Sequence, residues 1–85
     1  MLNIKVLGSG CPNCQRLEAE TRAALNTAGM IYDLKKVTDY AVIAAYGVMS
    51  TPALVINETV VCSGRIPARS YIVELARQHE IKTAL

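Results

Sequence analysis

Two cysteines separated by two residues are the feature of this 85-residue sequence that carries chemistry. Cys11 and Cys14 lie in the segment Cys-Pro-Asn-Cys, which follows a short apolar run and precedes a helical pattern. The free amides and partial positive charge at a helix N-terminus stabilise a thiolate over a thiol. Cys11, at the exposed end, is therefore the expected nucleophile. Cys14 faces it from the first turn and is the expected resolving thiol of a disulfide exchange.

The same cysteine spacing occurs in metal sites, but a metal site needs further ligands. A structural zinc ion needs four, and the remaining candidates, Cys62 and His79, stand in no ligand-like spacing. An iron–sulfur cluster lacks ligands in the same way. The sequence therefore predicts no bound metal and no cofactor. We expect Cys62 to be a small buried core side chain, with a regulatory thiol as the alternative, and His79 to serve packing or the surface.

The elements around the cysteines follow from hydrophobic spacing. Residues Leu2–Leu7 read as a short buried strand that Gly8-Ser9-Gly10 interrupts, and these glycines are expected to turn the backbone tightly and leave Cys11 uncovered. A helix is predicted from Pro12, with Glu18 and Arg22 paired on its outer face and Gly29 as its stop. Its inward stripe consists of Leu17, Thr21, Ala24, Leu25 and Ala28.

The second half of the chain predicts four more elements. Residues 30–37 form a strand, and Thr38 or Asp39 caps a short helix that runs through Tyr46 and ends at Gly47. Strands at residues 53–56 and 60–63 form an antiparallel hairpin around residues 57–59. Pro67 suits the first turn of a last helix. The inward face of that helix is Ala68, Ile72, Leu75 and Ala76.

This order, β-α-β-α-β-β-α, defines an α/β fold. The first two strands are joined through a helix and should therefore lie parallel, with a right-handed crossover. The hairpin adds antiparallel strands. We predict a four-stranded mixed sheet with helices on both faces, formed by residues 1–85 as a single domain.

A second segment, residues 44–56, adds a family resemblance. Tyr46-Gly47-Val48, three residues and then Pro52 before an apolar strand resemble the segment that places a cis-proline opposite the active cysteines in the thioredoxin/glutaredoxin superfamily. The short length and the Gly-Ser-Gly-Cys-Pro-Asn-Cys start resemble the small glutaredoxin-like redox-active disulfide thioredoxins of archaea and bacteria. The resemblance implies a thioredoxin-like fold, a cis Pro52 and a Thr51 backbone that binds substrate.

The resemblance also implies the reaction and its partners. We expect a thiol–disulfide oxidoreductase that takes electrons from a thioredoxin-reductase-like donor, with Gly10, Pro12 and Asn13 as further substrate contacts. Glutaredoxins that bind glutathione usually follow their last strand with Gly-Gly and an acidic residue. Here Ser63-Gly64-Arg65 stands instead, which favours protein disulfides as substrates.

The rival hypothesis is a carrier of Cu(I), for which two thiolates suffice. Carriers of the heavy-metal-associated type have a C-x-x-C after their first strand as well. They typically have Met two places before the first cysteine, where this chain has Ser9, and their element order is β-α-β-β-α-β. They need no residue like Pro52. These differences favour redox chemistry.

Charge and hydropathy exclude other classes of function. Nine Lys+Arg against seven Asp+Glu give a net charge of +2, and the basic residues are scattered, which argues against nucleic-acid binding and against a polybasic membrane patch. No apolar run is long enough for a signal peptide or a spanning helix. Three cysteines do not make the disulfide framework of a small secreted domain. We therefore expect a cytoplasmic monomer.

Overall fold

Seven elements follow one another in the predicted order in the computed structural model, which describes the backbone of residues 2–84 and the side chains of residues 2–79. No helix in this described part is long and apolar enough to cross a membrane. The elements are β1 (Leu2–Leu7), α1 (Pro12–Thr27), β2 (Tyr32–Val37), α2 (Tyr40–Ala45), β3 (Ala53–Ile56), β4 (Thr59–Ser63) and α3 (Arg69–Ala84).

The four strands form one mixed sheet in the order β2-β1-β3-β4. Strand β1 runs parallel to β2, from the pair Leu2↔Tyr32 to the pair Leu7↔Val37. Strand β3 is antiparallel to both β1 and β4. The parallel pair is connected through α1, as predicted from the strand–helix–strand order, and the mixed sheet is confirmed.

Helices cover both faces of the sheet, and alternate side chains of the central strands face them. On one face Ile4, Val6 and Leu54 pack with residues of α1 and α3, including Leu17 and Ile72. On the other face the buried cluster consists of Leu7, Ile43 of α2, Ala53 and Val55. All four residues of β3 are buried, because a central strand covered on both faces has no solvent side.

The end of α1 explains why β2 begins later than predicted. Gly29 adopts a φ of +69°, and its N–H donates to the Asn26 carbonyl at 3.1 Å. The Met30 N–H donates to the Leu25 carbonyl at 3.0 Å. These two bonds form a Schellman motif, which satisfies the last carbonyls of the helix. Met30 is thus used by the helix cap, and the strand begins at Tyr32 instead of Met30.

The hairpin turn is shorter than predicted. Asn57 and Glu58 form it, with φ values of +50° and +68°, and Thr59 already belongs to β4. Positive φ at both central positions is the type I′ pattern, which matches the twist of a two-residue hairpin. Asn tolerates this conformation, and the Asn57 side chain accepts a hydrogen bond from the Asn3 N–H at 2.9 Å.

The last helix begins two residues after Pro67, and the prediction was wrong there. The carbonyl of Ala68 accepts the first helical bond from the Ile72 N–H at 3.0 Å, so Ala68 caps the helix and its side chain is exposed instead of inward. Ile72 and Ala76 are fully buried as predicted. Leu75 is half-buried.

Candidate active site

Cys11 and Cys14 meet where β1 gives way to α1. Cys11 is the N-cap residue, in an extended conformation, and its Sγ accepts a hydrogen bond from the Cys14 N–H at 3.4 Å. Pro12 occupies the first helical position, where its missing N–H leaves no bond unmade. The local sequence therefore fixes the sulfur of Cys11 over the amides of the first helical turn.

The two sulfurs lie close together with both cysteines in the free thiol form. The Cys11 Sγ is 2.6 Å from the Cys14 Sγ, and a disulfide requires about 2.05 Å. Cys14 is only 4% exposed, whereas Cys11 is partly open to solvent. A small movement of the sulfurs closes the bond, and only Cys11 can be approached from outside.

The surroundings shift the pKa values of the two thiols in opposite directions. The hydrogen bond from the Cys14 thiol, followed by that from the Cys14 N–H, lowers the pKa of Cys11. Burial, followed by the hydrogen bond with Cys11, raises the pKa of Cys14. A donor near a thiolate favours the charged form, and desolvation disfavours it. Cys11 is therefore the more acidic thiol of the pair, and it loses its proton before Cys14 does.

The loop before the cysteines uses its two glycines differently. Gly10 has a φ of +88° and turns the chain, and the Gln15 side-chain amide donates to its carbonyl at 3.1 Å. Gly8 is buried and has no such φ. An added Cβ there would overlap the Cys14 Sγ and lie 3.2 Å from the Cys14 Cβ. The expectation that the glycines turn the chain holds for Gly10, whereas Gly8 makes room for a sulfur.

Thr51 and Pro52 lie beside the cysteines, at the start of β3. The Thr51–Pro52 peptide bond is cis. The Pro52 carbonyl accepts a hydrogen bond from the Gly64 N–H at 2.8 Å, which continues the β3–β4 pairing by one step. A Cβ built on Gly8 would overlap the Cys14 sulfur and would lie 3.8 Å from the Thr51 Cβ. Thr51 and the Cys14 sulfur therefore both lie next to Gly8. The fold thus brings Thr51 and the cysteine pair together from opposite halves of the chain.

The other predicted residues surround Cys11 or lie away from it. Gly10, Pro12 and Asn13 are exposed beside it. Cys62 is 6% exposed, and its Sγ donates to the Arg65 carbonyl at 3.7 Å, so it is the buried core side chain that we expected. His79 lies on α3, partly buried.

Two grooves lie on either side of Thr51. Apart from Asn13, and from Arg65, which was noted above only for its place after the last strand, the side chains named next were not predicted as site residues. Arg16 and Arg65 line one with Asn13. Tyr40 and Met49 line the other, and both are strongly exposed. No local pattern identifies these residues, because each groove forms between segments that only the tertiary fold brings together.

Within residues 2–79 no cluster of three or more His, Cys, Asp or Glu side chains is arranged to hold a metal ion. An accessible, more acidic thiol in contact with a buried one is the arrangement that stepwise disulfide exchange requires. Fold and site together define a small thioredoxin-like redox protein.

Comparison with known proteins gives the family. A family model described as "Thioredoxin domain" matches residues 2–77, and the chain belongs to this thioredoxin family. A thioredoxin of Methanocaldococcus jannaschii is 32% identical over 87% of this chain and 85% of its own length. A thioredoxin of Methanothermobacter thermautotrophicus is 28% identical over 88% of this chain and 97% of its own.

Among solved structures, glutaredoxin 1 from Francisella tularensis, complexed with cacodylate, aligns with a TM-score of 0.43 and 14% identity. The alignment covers 96% of this chain and 99% of that one. Membership of the thioredoxin family makes the protein a thiol–disulfide oxidoreductase. The predicted class of enzyme is thereby confirmed.

Proposed function

We propose that this enzyme exchanges two electrons with disulfides of other proteins through a Cys11–Cys14 redox couple. The observation that carries the proposal is the 2.6 Å separation of the two sulfurs together with their unequal exposure. An accessible thiolate can attack a substrate, and a buried thiol in contact with it can complete the reaction without leaving the protein.

The exchange proceeds in two displacements. The Cys11 thiolate attacks one sulfur of the substrate disulfide, forms a mixed disulfide and expels the other substrate sulfur, which takes a proton from solvent. Cys14 then loses its proton and attacks the Cys11 sulfur. The Cys11–Cys14 disulfide forms and the second substrate thiolate leaves. The substrate gains two electrons, and the enzyme dithiol loses them.

The surroundings of Cys11 support a polypeptide substrate. Thr51 precedes Pro52, whose hydrogen bond with Gly64 is the last step of the β3–β4 ladder, so the Thr51 backbone lies outside that ladder and next to the site. An extended substrate chain could pair with it as strands pair. Gly10, Pro12 and Asn13 form the exposed surface next to Cys11 and complete the contact.

Turnover requires a donor of two electrons. The oxidised Cys11–Cys14 pair returns to the dithiol when a donor dithiol is oxidised in its place, and a thioredoxin-reductase-like enzyme supplies that chemistry. Both thiols of the couple belong to one chain. A single copy therefore suffices for the reaction, and a monomer remains our prediction.

The test uses a peptide pair joined by one disulfide. Cys11→Ser should abolish its reduction. Cys14→Ser should form the mixed disulfide and stop there, which mass spectrometry of the intact adduct detects at Cys11. Cys62→Ser, which removes a buried thiol outside the couple, is the matched control and should turn over. Adduct formation at Cys62, or full turnover by Cys14→Ser, would refute the assigned roles. Tight retention of Cu(I) by a chain that reduces no disulfide would favour the carrier hypothesis.

A further inference from the structure

A groove with a basic lining opens beside the cysteine pair. Its volume is about 420 Å³, and Asn13 of α1 and Thr51 reach it from the active site. We call it the basic groove. Its lining includes Asn13, Arg16, Thr51, Gly64, Arg65 and Ile66. A substrate segment that passes Thr51 toward this side enters the groove directly.

Within residues 2–79, no carboxylate forms an ion pair with the two arginines that line the groove. Its acidic lining residue, Glu20, accepts two hydrogen bonds from Arg69, at 2.9 and 3.2 Å, and this pairing lowers the pKa of Glu20. Among the described side chains, the guanidinium groups of Arg16 and Arg65 make no hydrogen bond or ion pair, although the charge of Arg16 also acts on Glu20. Two arginine side chains are therefore available to a ligand.

Gly64 holds the backbone just before Arg65 against the segment that carries Ser50 and Thr51. Its φ is +73°, and an added Cβ would lie only 3.1 Å from the Ser50 Cβ. Its N–H is bonded to the Pro52 carbonyl at 2.8 Å. The chain thus passes close to the segment that carries Thr51, and the next residue, Arg65, starts from a fixed backbone position at the groove.

We propose that the basic groove binds an acidic side chain of the substrate protein, next to the disulfide that Cys11 attacks. The inference rests on the proposed function and names its substrate class. A guanidinium group binds carboxylates through paired N–H donors, and two arginines around one groove suit a carboxylate better than any neutral group. They also offset the repulsion between an acidic segment and the Cys11 thiolate. Substrates with Asp or Glu beside the reacting cysteine are therefore preferred.

The test compares three disulfide peptide pairs that differ at one position beside the cysteine, which is Asp, Asn or Lys. At low salt, kcat/KM for the Asp peptide should exceed that for the Asn peptide by about five- to tenfold, and the Lys peptide should be the poorest. The Asp preference should shrink as salt rises above about 0.1 M, because exposed charges are then screened.

Charge reversal in the groove identifies the residues. Arg65→Glu and Arg16→Glu should each abolish the Asp preference, because either change leaves the two positions with no net charge. Arg77→Glu, an equal charge change at an exposed position on α3 outside the groove, is the control and should keep the Asp preference. Circular dichroism of each variant monitors its fold. If a reversal variant does not fold, Arg65→Gln and the salt dependence of the wild-type preference decide.

The outcomes separate this inference from the function on which it rests. Equal rates for the three peptides would overturn the inference and leave the oxidoreductase proposal standing. Reduction of none of them would overturn both. If glutathione disulfide were the best substrate, and Arg65→Glu removed that preference, the groove would be a glutathione site and the acidic-protein assignment would be wrong.

Discussion

Gly8 lies so close to Cys14 that a methyl group on its Cα would overlap the Cys14 sulfur. Gly8 is the residue after β1, and its N–H is bonded to the Val37 carbonyl at 3.0 Å, so its backbone is held in the sheet. The buried sulfur packs onto this fixed surface. The position of the Cys14 thiol is therefore set by the absence of a side chain on Gly8 at the end of β1.

Replacement of Gly8 by Ala should slow the resolving step. The added Cβ pushes the Cys14 sulfur away from its site, which lengthens the 2.6 Å contact with Cys11 and disfavours attack on a mixed disulfide. We expect the rate of mixed-disulfide resolution to fall by about tenfold or more, as small displacements of reacting groups commonly cause. The measurement is the decay of an isolated Cys11 adduct, followed by mass spectrometry.

Gly29→Ala is the matched control for that experiment. Gly29 also has a special role, with a φ of +69° at the end of α1, so alanine there costs about 1 kcal/mol of stability. No atom of the described structure other than its chain neighbours lies within 4 Å of an added Cβ, and the sulfurs are remote. It should lose stability and keep its resolution rate. Equal resolution rates in wild type and Gly8→Ala would contradict the role of Gly8.

Cys11 should be the thiol that is alkylated fastest at neutral pH. Its pKa is lowered by hydrogen bonds from Cys14, whereas burial raises the pKa of Cys14, so Cys11 has the larger thiolate fraction of the two. Cys14→Ala removes the largest of these hydrogen bonds. The pKa of Cys11 should therefore rise in that variant, and its alkylation should require a higher pH.

The pH dependence of iodoacetamide alkylation, with peptide mapping of the labelled residue, measures both effects. Cys62→Ala is the control, because its sulfur contacts the Arg65 carbonyl and not the couple. Faster labelling of Cys14 or Cys62 in the reduced wild type, or an unchanged Cys11 profile in Cys14→Ala, would show that the cysteine pair is not polarised as described.

Most of the fold could be predicted because its signals are local. Each of three signals depends on a single element, and the structure contains all three. They are the apolar run at residues 2–7, the apolar stripe on α1 and the Asp39 cap of α2. The errors fall at element ends. Met30 and Ala68 were assigned to a strand and a helix face, but their backbones cap the neighbouring helices instead.

The site was predictable only in part, for a related reason. The cysteine spacing and its place before a helix are visible in the sequence, and so is the segment around Pro52. The contact of Gly8 with Cys14 is not, since a glycine after a strand is equally typical of a turn. Arg16 and Arg65 are 49 positions apart and share a groove because α1 and the β4–α3 loop meet in space.

A cluster at the far end of the sheet should make stability depend on pH. Lys5 donates to Tyr46 at 2.8 Å and to Glu58 at 2.5 Å, and the Tyr46 hydroxyl donates to Glu58 at 3.1 Å. The hydrogen bond from Lys5, then that from Tyr46, lowers the pKa of Glu58. The bond to Glu58, then that to Tyr46, raises the pKa of Lys5.

These directions set the pH window. A lowered carboxyl pKa contributes stability that is complete above the unfolded value, about 4.3, and is lost as the pH falls through the folded value. A raised lysine pKa contributes stability below about 10.4 that is lost as the pH rises through its folded value. Glu58→Gln should therefore lower the Tm near pH 7, and its difference from wild type should shrink by pH 3.

Asp33→Asn is the control for that pair of Tm measurements. It removes a carboxylate that is also partly exposed and whose ion pair, with Lys35, is longer at 3.9 Å. Its Tm difference from wild type should be smaller at pH 7 than that of Glu58→Gln. A Tm loss in Glu58→Gln that stays the same from pH 7 to pH 3 would show that the carboxylate charge is not what stabilises the cluster.

The two-sided core should make β3 the most sensitive strand. Leu54 is fully buried against α1 and α3 and pairs across the sheet with Cys62, so Leu54→Ala leaves a cavity that neither helix can fill. We expect a loss of about 2–5 kcal/mol in the free energy of unfolding, as for other buried leucines.

Val60→Ala on β4 is the control, because Val60 is 36% exposed, and it should cost less than about 1 kcal/mol. The sequence has no Trp, so urea unfolding is followed by far-UV circular dichroism. Losses of similar size in the two variants would mean that β3 is not the centre of the core.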